Sequence, residues 1–188
     1  MLDRVQLERF FTRAKPFEAY IASDPSRAPH WWQVHARAQL SSDQIGLLKG
    51  FTREMKVLCL SGTWCGDCAQ QVPLLHRIAQ ESGRIHFRCI DRGEVGPWSD
   101  QLTICGGTRV PVVIFMAEDF EVCAVLGDCT LSRYRGAASR KLGSACEVVW
   151  AKNSDEELAA TLADWLNEFE RVQWMLRLSP RLRAIHND

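Results

Sequence analysis

Lys56-Val-Leu-Cys-Leu-Ser-Gly62 is a continuous apolar run, and it leads through Thr63 and Trp64 into Cys65-Gly-Asp-Cys68 and a segment with helical spacing that ends near Ser82. A short apolar run, then a turn, then a 3.6-residue period reads as a buried strand, a tight turn and a helix. Two cysteines therefore fall where the helix begins. Cys65 is expected at the N-cap, where the backbone N–H groups of Asp67 and Cys68 lack intrahelical partners and the helix dipole presents its positive end. A sulfur anion is stabilised there, and the thiolate is the form that attacks disulfides. Cys68, one turn on, is expected close enough to bond to Cys65 and expel whatever it has captured.

The same spacing can be half of a zinc site. No second C-x-x-C or C-x-x-H completes four ligands, which turns the reading away from metal while leaving a metal or iron–sulfur scaffold as an alternative. No metal or cofactor is expected at the cysteines.

With 188 residues the chain has room for a domain of about 110 residues with extensions at both ends. Its 23 basic and 23 acidic residues balance without long like-charge runs, so electrostatics gives no reason to expect nucleic acid or an anionic membrane as partner. The start, Met1-Leu-Asp-Arg-Val-Gln-Leu-Glu-Arg-Phe10, intersperses charges among apolar residues and does not read as a signal peptide. No apolar run reaches the roughly 18 residues of a membrane span, and a cytoplasmic location is expected. Eight cysteines would suit a disulfide framework in a small secreted domain; here most sit in strand-like runs and are expected to be reduced, with Cys65 and Cys68 the functional exceptions.

Residues 1–41 read as a helical N-terminal extension, 42–178 as the main domain and 179–188 as a C-terminal tail. Trp31 and Trp32 are expected to pack the extension, with His30 and His35 as polar neighbours. Ser41-Ser-Asp-Gln44 has capping-box spacing and opens a helix expected over about 42–54. Pro73 is expected to kink the helix after Cys68. Ile85–Ile90 reads as a second strand, parallel to the first through a right-handed crossover. Val110-Pro111 opens a third strand, and Glu121–Leu126 a fourth at an antiparallel edge. Residues 128–152 are weakly patterned, and Arg133, Arg135, Arg140 and Lys141 are expected in a solvated loop. Ser154-Asp-Glu-Glu157 reads as a capping box opening a long helix to about 178.

The apolar strand ending in Trp64-Cys-Gly-Asp-Cys68, the proline five residues after the second cysteine (Pro73), and Val110-Pro111 at the start of a later strand together resemble the thioredoxin superfamily. Over roughly residues 42–175 the chain is most similar to bacterial thioredoxin-like proteins with a WCGDC active site and a helical N-terminal extension. The resemblance implies an α/β thioredoxin-like fold, a central mixed sheet flanked by helices. It also implies that Pro111 is cis and shapes a substrate groove, that Val110 pairs with the substrate backbone, and that Trp64 and Gly66 border the groove. A strand-starting trans proline is the alternative for Pro111. Arg109 is expected either to meet an anionic substrate such as glutathione or to be solvated.

Two departures stand out. Six residues before the first cysteine, where relatives usually hold a buried acid, this chain has Cys59, and the usual lysine partner is replaced by Phe87. A charge pair exchanged as a set leaves no lone buried charge. Cys68 then needs another base, and Asp67 is the nearest candidate in sequence. A carboxylate within about 5 Å of Cys65 also raises its pKa relative to an uncharged dipeptide.

These features point to a thiol–disulfide oxidoreductase that reduces protein or small-molecule disulfides through a mixed disulfide on Cys65, resolved by Cys68. No G-x-G-x-x-G nucleotide fingerprint is present, so a reductase or glutathione is expected as external electron donor. The alternative is a redox-responsive binding adaptor without turnover.

Overall fold

The computed structural model describes residues 2–142 and 154–188. Four strands form one mixed sheet in the order β2-β1-β3-β4: β1 Met55–Ser61, β2 Ile85–Asp91, β3 Val112–Ala117 and β4 Val122–Gly127. β1 and β2 are parallel, while β3 is antiparallel to both β1 and β4. The helices are α1 Arg4–Arg13, α2 Phe17–Ile21, α3 Ala28–Arg37, α4 Ser42–Lys49, α5 Gly66–Gln80, α6 Leu131–Leu142, α7 Ser154–Leu178 and α8 Pro180–His186. A 3-10 segment, Arg92–Leu102, follows β2.

The continuous apolar run of β1 follows from burial on both faces. Val57 and Cys59 point to the larger cluster, with Val72 and Leu75 of α5, Phe17 and Tyr20 of α2, Trp31 of α3, and Trp165 and Phe169 of α7. Leu58 and Leu60 point the other way, to Leu7, Phe10 and Phe11 of α1 and to Val95 and Leu102 of the 3-10 segment. Successive side chains of a strand alternate faces, which divides the two clusters. In the larger one Phe115 of β3 meets Phe169 edge to face at 5.0 Å, a geometry worth about 1 kcal/mol beyond the area buried.

The N-terminal helices share this core. Between α1 and α2, Lys15 exchanges two backbone hydrogen bonds of 2.8 Å with Cys89, tying the extension to β2. Trp31 is buried, whereas Trp32 is 40 % exposed and meets the Phe17 ring edge-on at 5.5 Å. His30 and His35 reach Gln70 and Gln80 of α5. Residues 179–188 hold α8, with Leu182 buried and Asp188 paired with Arg53.

Some local expectations are refined. The capping box of Ser41 and Gln44 forms, but α4 ends at Lys49, with Gly50 as its C-cap. α5 continues as one helix through Pro73. The expectation of a solvated loop over 128–152 is wrong in part: residues 131–142 form α6, and 143–153, with Cys146, lie outside the described residues. α6 buries only Ser132 and Gly136, so it carries no apolar stripe for periodicity to detect. Polar contacts hold it instead, among them Ser132 N–H donating to the Asp164 carboxylate of α7 at 2.8 Å. Ser154 is itself helical, and Glu157 turns its carboxylate to Arg133 and Arg140 rather than into a capping box. No helix among the described residues is long and apolar enough to cross a membrane.

His76 of α5 stacks on Phe17 at 4.3 Å and sits 3.1 Å from Glu18. Burial lowers its pKa to about 4, and Glu18 opposes that shift. The unfolded chain therefore binds more protons than the folded one between about pH 6.5 and 4, and stability falls with pH across that window. Urea unfolding midpoints measured from pH 7 to 4.5 should decline less steeply in His76→Gln than in the parent; equal slopes would contradict this assignment.

Candidate active site

β1 ends at Ser61, and Gly62 to Trp64 turn the chain into α5. A Cβ at Gly62 would come within 2.6 Å of the Trp64 indole, so only glycine lets that ring lie back over the turn. Trp64 is 63 % exposed beside the first cysteine. Cys65 is the N-cap of α5, in extended backbone geometry (φ −86°, ψ 124°), and its sulfur accepts the Cys68 N–H at 3.5 Å. Its thiol faces the Val110 carbonyl oxygen at 3.6 Å. The Val110–Pro111 peptide bond is cis. The structure thus brings Trp64, Cys65, Gly66, Asp67, Cys68, Val110 and Pro111 to one end of the central β1–β3 pair.

The two thiols differ sharply. The Cys65 pKa is lowered from its ordinary 9.0 to about 6, first by a hydrogen bond from the Cys68 thiol, with the N–H groups of Cys68 and Asp67 adding to the effect. Partial burial and the Asp67 charge oppose it. Cys68 is wholly buried, and burial, with the adjacent Cys65 sulfur second, drives its pKa far above the thiol range. Cys65 is therefore the more acidic of the two thiols, and Cys68 is held protonated.

Asp67 does not stand alone. Arg133 of α6 donates to its carboxylate at 2.8 Å and to Glu157 of α7 at 2.9 Å, and Arg140 also binds Glu157. The arginines expected in a solvated loop therefore include one that neutralises the acid of the Cys65-Gly-Asp-Cys68 turn. Arg133 is 18 % exposed and Asp67 48 %, so the charge of Asp67 is only partly screened by water.

The loop bearing Val110-Pro111 is clamped from several sides. Arg92 donates to the Arg109 carbonyl oxygen at 2.8 Å and the Ser99 carbonyl oxygen at 2.7 Å. The guanidinium of Arg109 binds Asp128 at 3.0 Å, and Asp128 also accepts from the Tyr134 hydroxyl. The buried Gln71 side chain donates to the Asp128 carbonyl oxygen at 2.8 Å and accepts the Thr130 N–H at 3.3 Å. A Cβ at Gly127 would collide with the Pro111 carbonyl oxygen. Arg92, Gln71, Asp128 and Arg133 escaped the sequence reading, because each acts through a partner distant in the chain. For Arg133 alone a signal existed: an Arg133-x6-Arg140 pair on one helical face, near a Ser154–Glu157 acidic turn.

Cys59, at the position of the expected acid, is wholly buried and registers with Cys89 across the β1–β2 pair. Burial, followed by a hydrogen bond with Cys89, holds its thiol protonated. Phe87 is half-buried two residues before Cys89. Among the described residues no group of three or more His, Cys, Asp or Glu side chains is gathered as a metal site would need.

Alkylation of Cys65 by iodoacetamide, followed by peptide mass spectrometry, should rise with pH through a midpoint near 6. A midpoint near 9 would contradict the N-cap argument. Arg133→Met should move the midpoint up by roughly half a unit, and Asp67→Asn should move it down. Because the folded pKa lies below the unfolded one, the reduced protein should gain stability between about pH 6 and 9 and lose it as pH falls through 6.

A thioredoxin family model matches residues 14–130. Among curated proteins, thioredoxin-like 2, chloroplastic, from Oryza sativa subsp. japonica is 28 % identical over 98 residues, covering 49 % of this chain and 45 % of the rice protein. The chain thus spans under half the length of that relative. Among solved structures, a Pseudomonas aeruginosa protein of unknown function superposes with a TM-score of 0.69 at 15 % identity, covering 92 % of this chain and 97 % of that one. A crystallised HIV epitope scaffold gives 0.64 at 15 % identity, covering 86 % and 97 %. At such identity the two structures speak to the fold alone. The family match spans the strand, the paired cysteines and the cis-proline loop alike, and the chain belongs to the thioredoxin family.

Proposed function

We propose that the protein is a thiol–disulfide oxidoreductase that reduces protein or small-molecule disulfides, within the bacterial branch carrying a WCGDC site and a helical N-terminal extension. The observation that carries this reading is the division of labour between the two thiols: Cys65 acidic and reachable beside Val110-Pro111, Cys68 buried and protonated one turn away.

In the reaction the Cys65 thiolate attacks one sulfur of a substrate disulfide, forming a mixed disulfide and releasing the first substrate thiolate. Cys68 gives its proton to Asp67, the carboxylate that precedes it in the chain, and attacks Cys65, releasing the second substrate thiolate, which takes up a proton. The products are a Cys65–Cys68 disulfide and a reduced substrate. Val110 lines up the substrate backbone, Pro111, Gly66 and Trp64 wall the groove, and Arg109 meets an acidic group when it exchanges Asp128 for substrate. A reductase or glutathione returns two electrons to the disulfide, and the cytoplasm, with its reducing thiol pool, is the compartment that suits it.

A redox-responsive adaptor is the second reading. It is favoured by the chain of contacts from Asp67 through Arg133 to Glu157, which connects the cysteine turn to α6 and α7.

The protein should accelerate insulin reduction by dithiothreitol, followed by turbidity, and Cys65→Ser should abolish the effect. Cys68→Ser should accumulate a mixed disulfide with its substrate. No acceleration, together with loss of a bound partner on oxidation, would favour the adaptor.

A further inference from the structure

Behind Cys68 lies a buried group of side chains for which the exchange reaction described above has no use. Ser61 ends β1, and Tyr20 comes from α2 of the N-terminal extension; they are 0 % and 2 % exposed. The hydroxyl oxygen of each is fully enclosed and has no hydrogen-bond partner of normal length. An unpaired hydroxyl in an apolar interior is costly, and two close together call for an explanation.

Ser61 faces the Cys68 sulfur, and Tyr20 faces Ser61. The Ser61 hydroxyl lies close enough to both Tyr20 and Cys68 to oppose, at each, the rise in pKa that burial imposes. The strongest electrostatic effects on Cys68 and Tyr20 come from thiols and one carboxylate. Cys59 of β1 and Cys65 act on Cys68, while Cys89 and Asp91 of β2 and Cys59 act on Tyr20. Any of these four that ionised would oppose further negative charge, and none of them is a cation. A thiolate at Cys68 would therefore be unsupported unless neutral donors turned toward it.

We propose that Ser61 and Tyr20 are positioning residues for the resolving step, the Ser61 hydroxyl donating to the Cys68 thiolate as it forms and the Tyr20 hydroxyl donating to Ser61. This deepens, and rests on, the oxidoreductase reading. Cys68 passes its proton to Asp67, and the electron pair left on its sulfur forms the bond to Cys65. The bond between Cys65 and the substrate breaks, and the substrate leaves as a thiolate that takes up a proton. Hydroxyls that rotate toward the anion only when it exists would be unpaired in the resting, protonated state, as both are here. The arrangement also gives α2 a part in the chemistry, since Tyr20 is supplied by the extension.

The test uses the full chain with the exposed Cys105 changed to serine. Stopped-flow mixing of the reduced protein with one equivalent of 5,5′-dithiobis(2-nitrobenzoate) should give two releases of nitrothiobenzoate at 412 nm, the first from attack by Cys65 and the second from resolution by Cys68. Ser61→Ala should slow the second release about tenfold and move its pH midpoint upward, leaving the first release and its midpoint near 6 unchanged as proof of an intact fold. Tyr20→Phe should act in the same direction, the double variant should be no slower than Ser61→Ala, and Ser61→Thr should recover the parent rate. A second release at the parent rate from pH 5 to 9 in both Ser61→Ala and Tyr20→Phe overturns the proposal while leaving the oxidoreductase reading intact. A parent protein that shows the first release but never the second overturns that reading itself.

Discussion

The first backbone N–H groups of α5 have no carbonyl oxygen within the helix to bond, and the structure is arranged so that a sulfur atom meets them. For that to happen β1 must end deep in the sheet, and the turn through Gly62 must be tight enough to start α5 directly above the strand end. β1 can occupy such a place only because both its faces are apolar and both are covered: α1 and the 3-10 segment on one side, α2, α3, α5 and α7 on the other. The chemistry of Cys65 is thus a product of the same burial that holds the sheet together. Cys68, one turn further along, enters that core and takes on the opposite protonation behaviour. A single helical turn separates a half-buried, acidic thiol from a wholly buried neutral one.

Electrostatics adds a second layer. A carboxylate between two cysteines works against a thiolate, yet here it is met by a guanidinium delivered from α6, itself steadied by Glu157 of α7. The acid that opposes Cys65 is therefore also the point at which two helices remote in sequence touch the reactive turn. Arg133 is held largely out of water, where a charge is more effective than at the open surface. The arrangement links the acidity of Cys65 to whether α6 is seated against α7.

Much of this was legible in the chain, and the parts that were not share a cause. The order of strands and helices from 42 to 127 could be read because each element there carries its own apolar period and each boundary its own cap, turn or glycine. α6 could not, because Leu131-Ser-Arg-Tyr-Arg-Gly-Ala-Ala-Ser-Arg-Lys-Leu142 has helical residues without a helical stripe; its partners are carboxylates on α7. The cysteines announced themselves through local spacing, and Val110 and Pro111 through the resemblance to a known family. Arg92, Gln71 and Asp128, which hold the cis-proline loop, are ordinary polar residues whose roles depend on bonds spanning 6 to 59 positions. Pairwise polar contacts of that range leave no periodic trace in a single sequence. Tyr20 and Ser61 illustrate the same limit, since one reads as core aromatic and the other as a strand end until the fold places them side by side.

The hydrogen bonds between Lys15 and Cys89 have a consequence beyond anchoring the extension. β2 is an outer strand, and its unpaired backbone would otherwise offer a template on which another chain could add itself. One antiparallel bridge at Cys89, with α1 before it and α2 after it, occupies part of that rim and shortens the bare backbone open to a foreign strand. Under the proposed oxidoreductase reading, that border of the sheet is thereby shielded from the extended, disulfide-bearing chains the cysteines would meet.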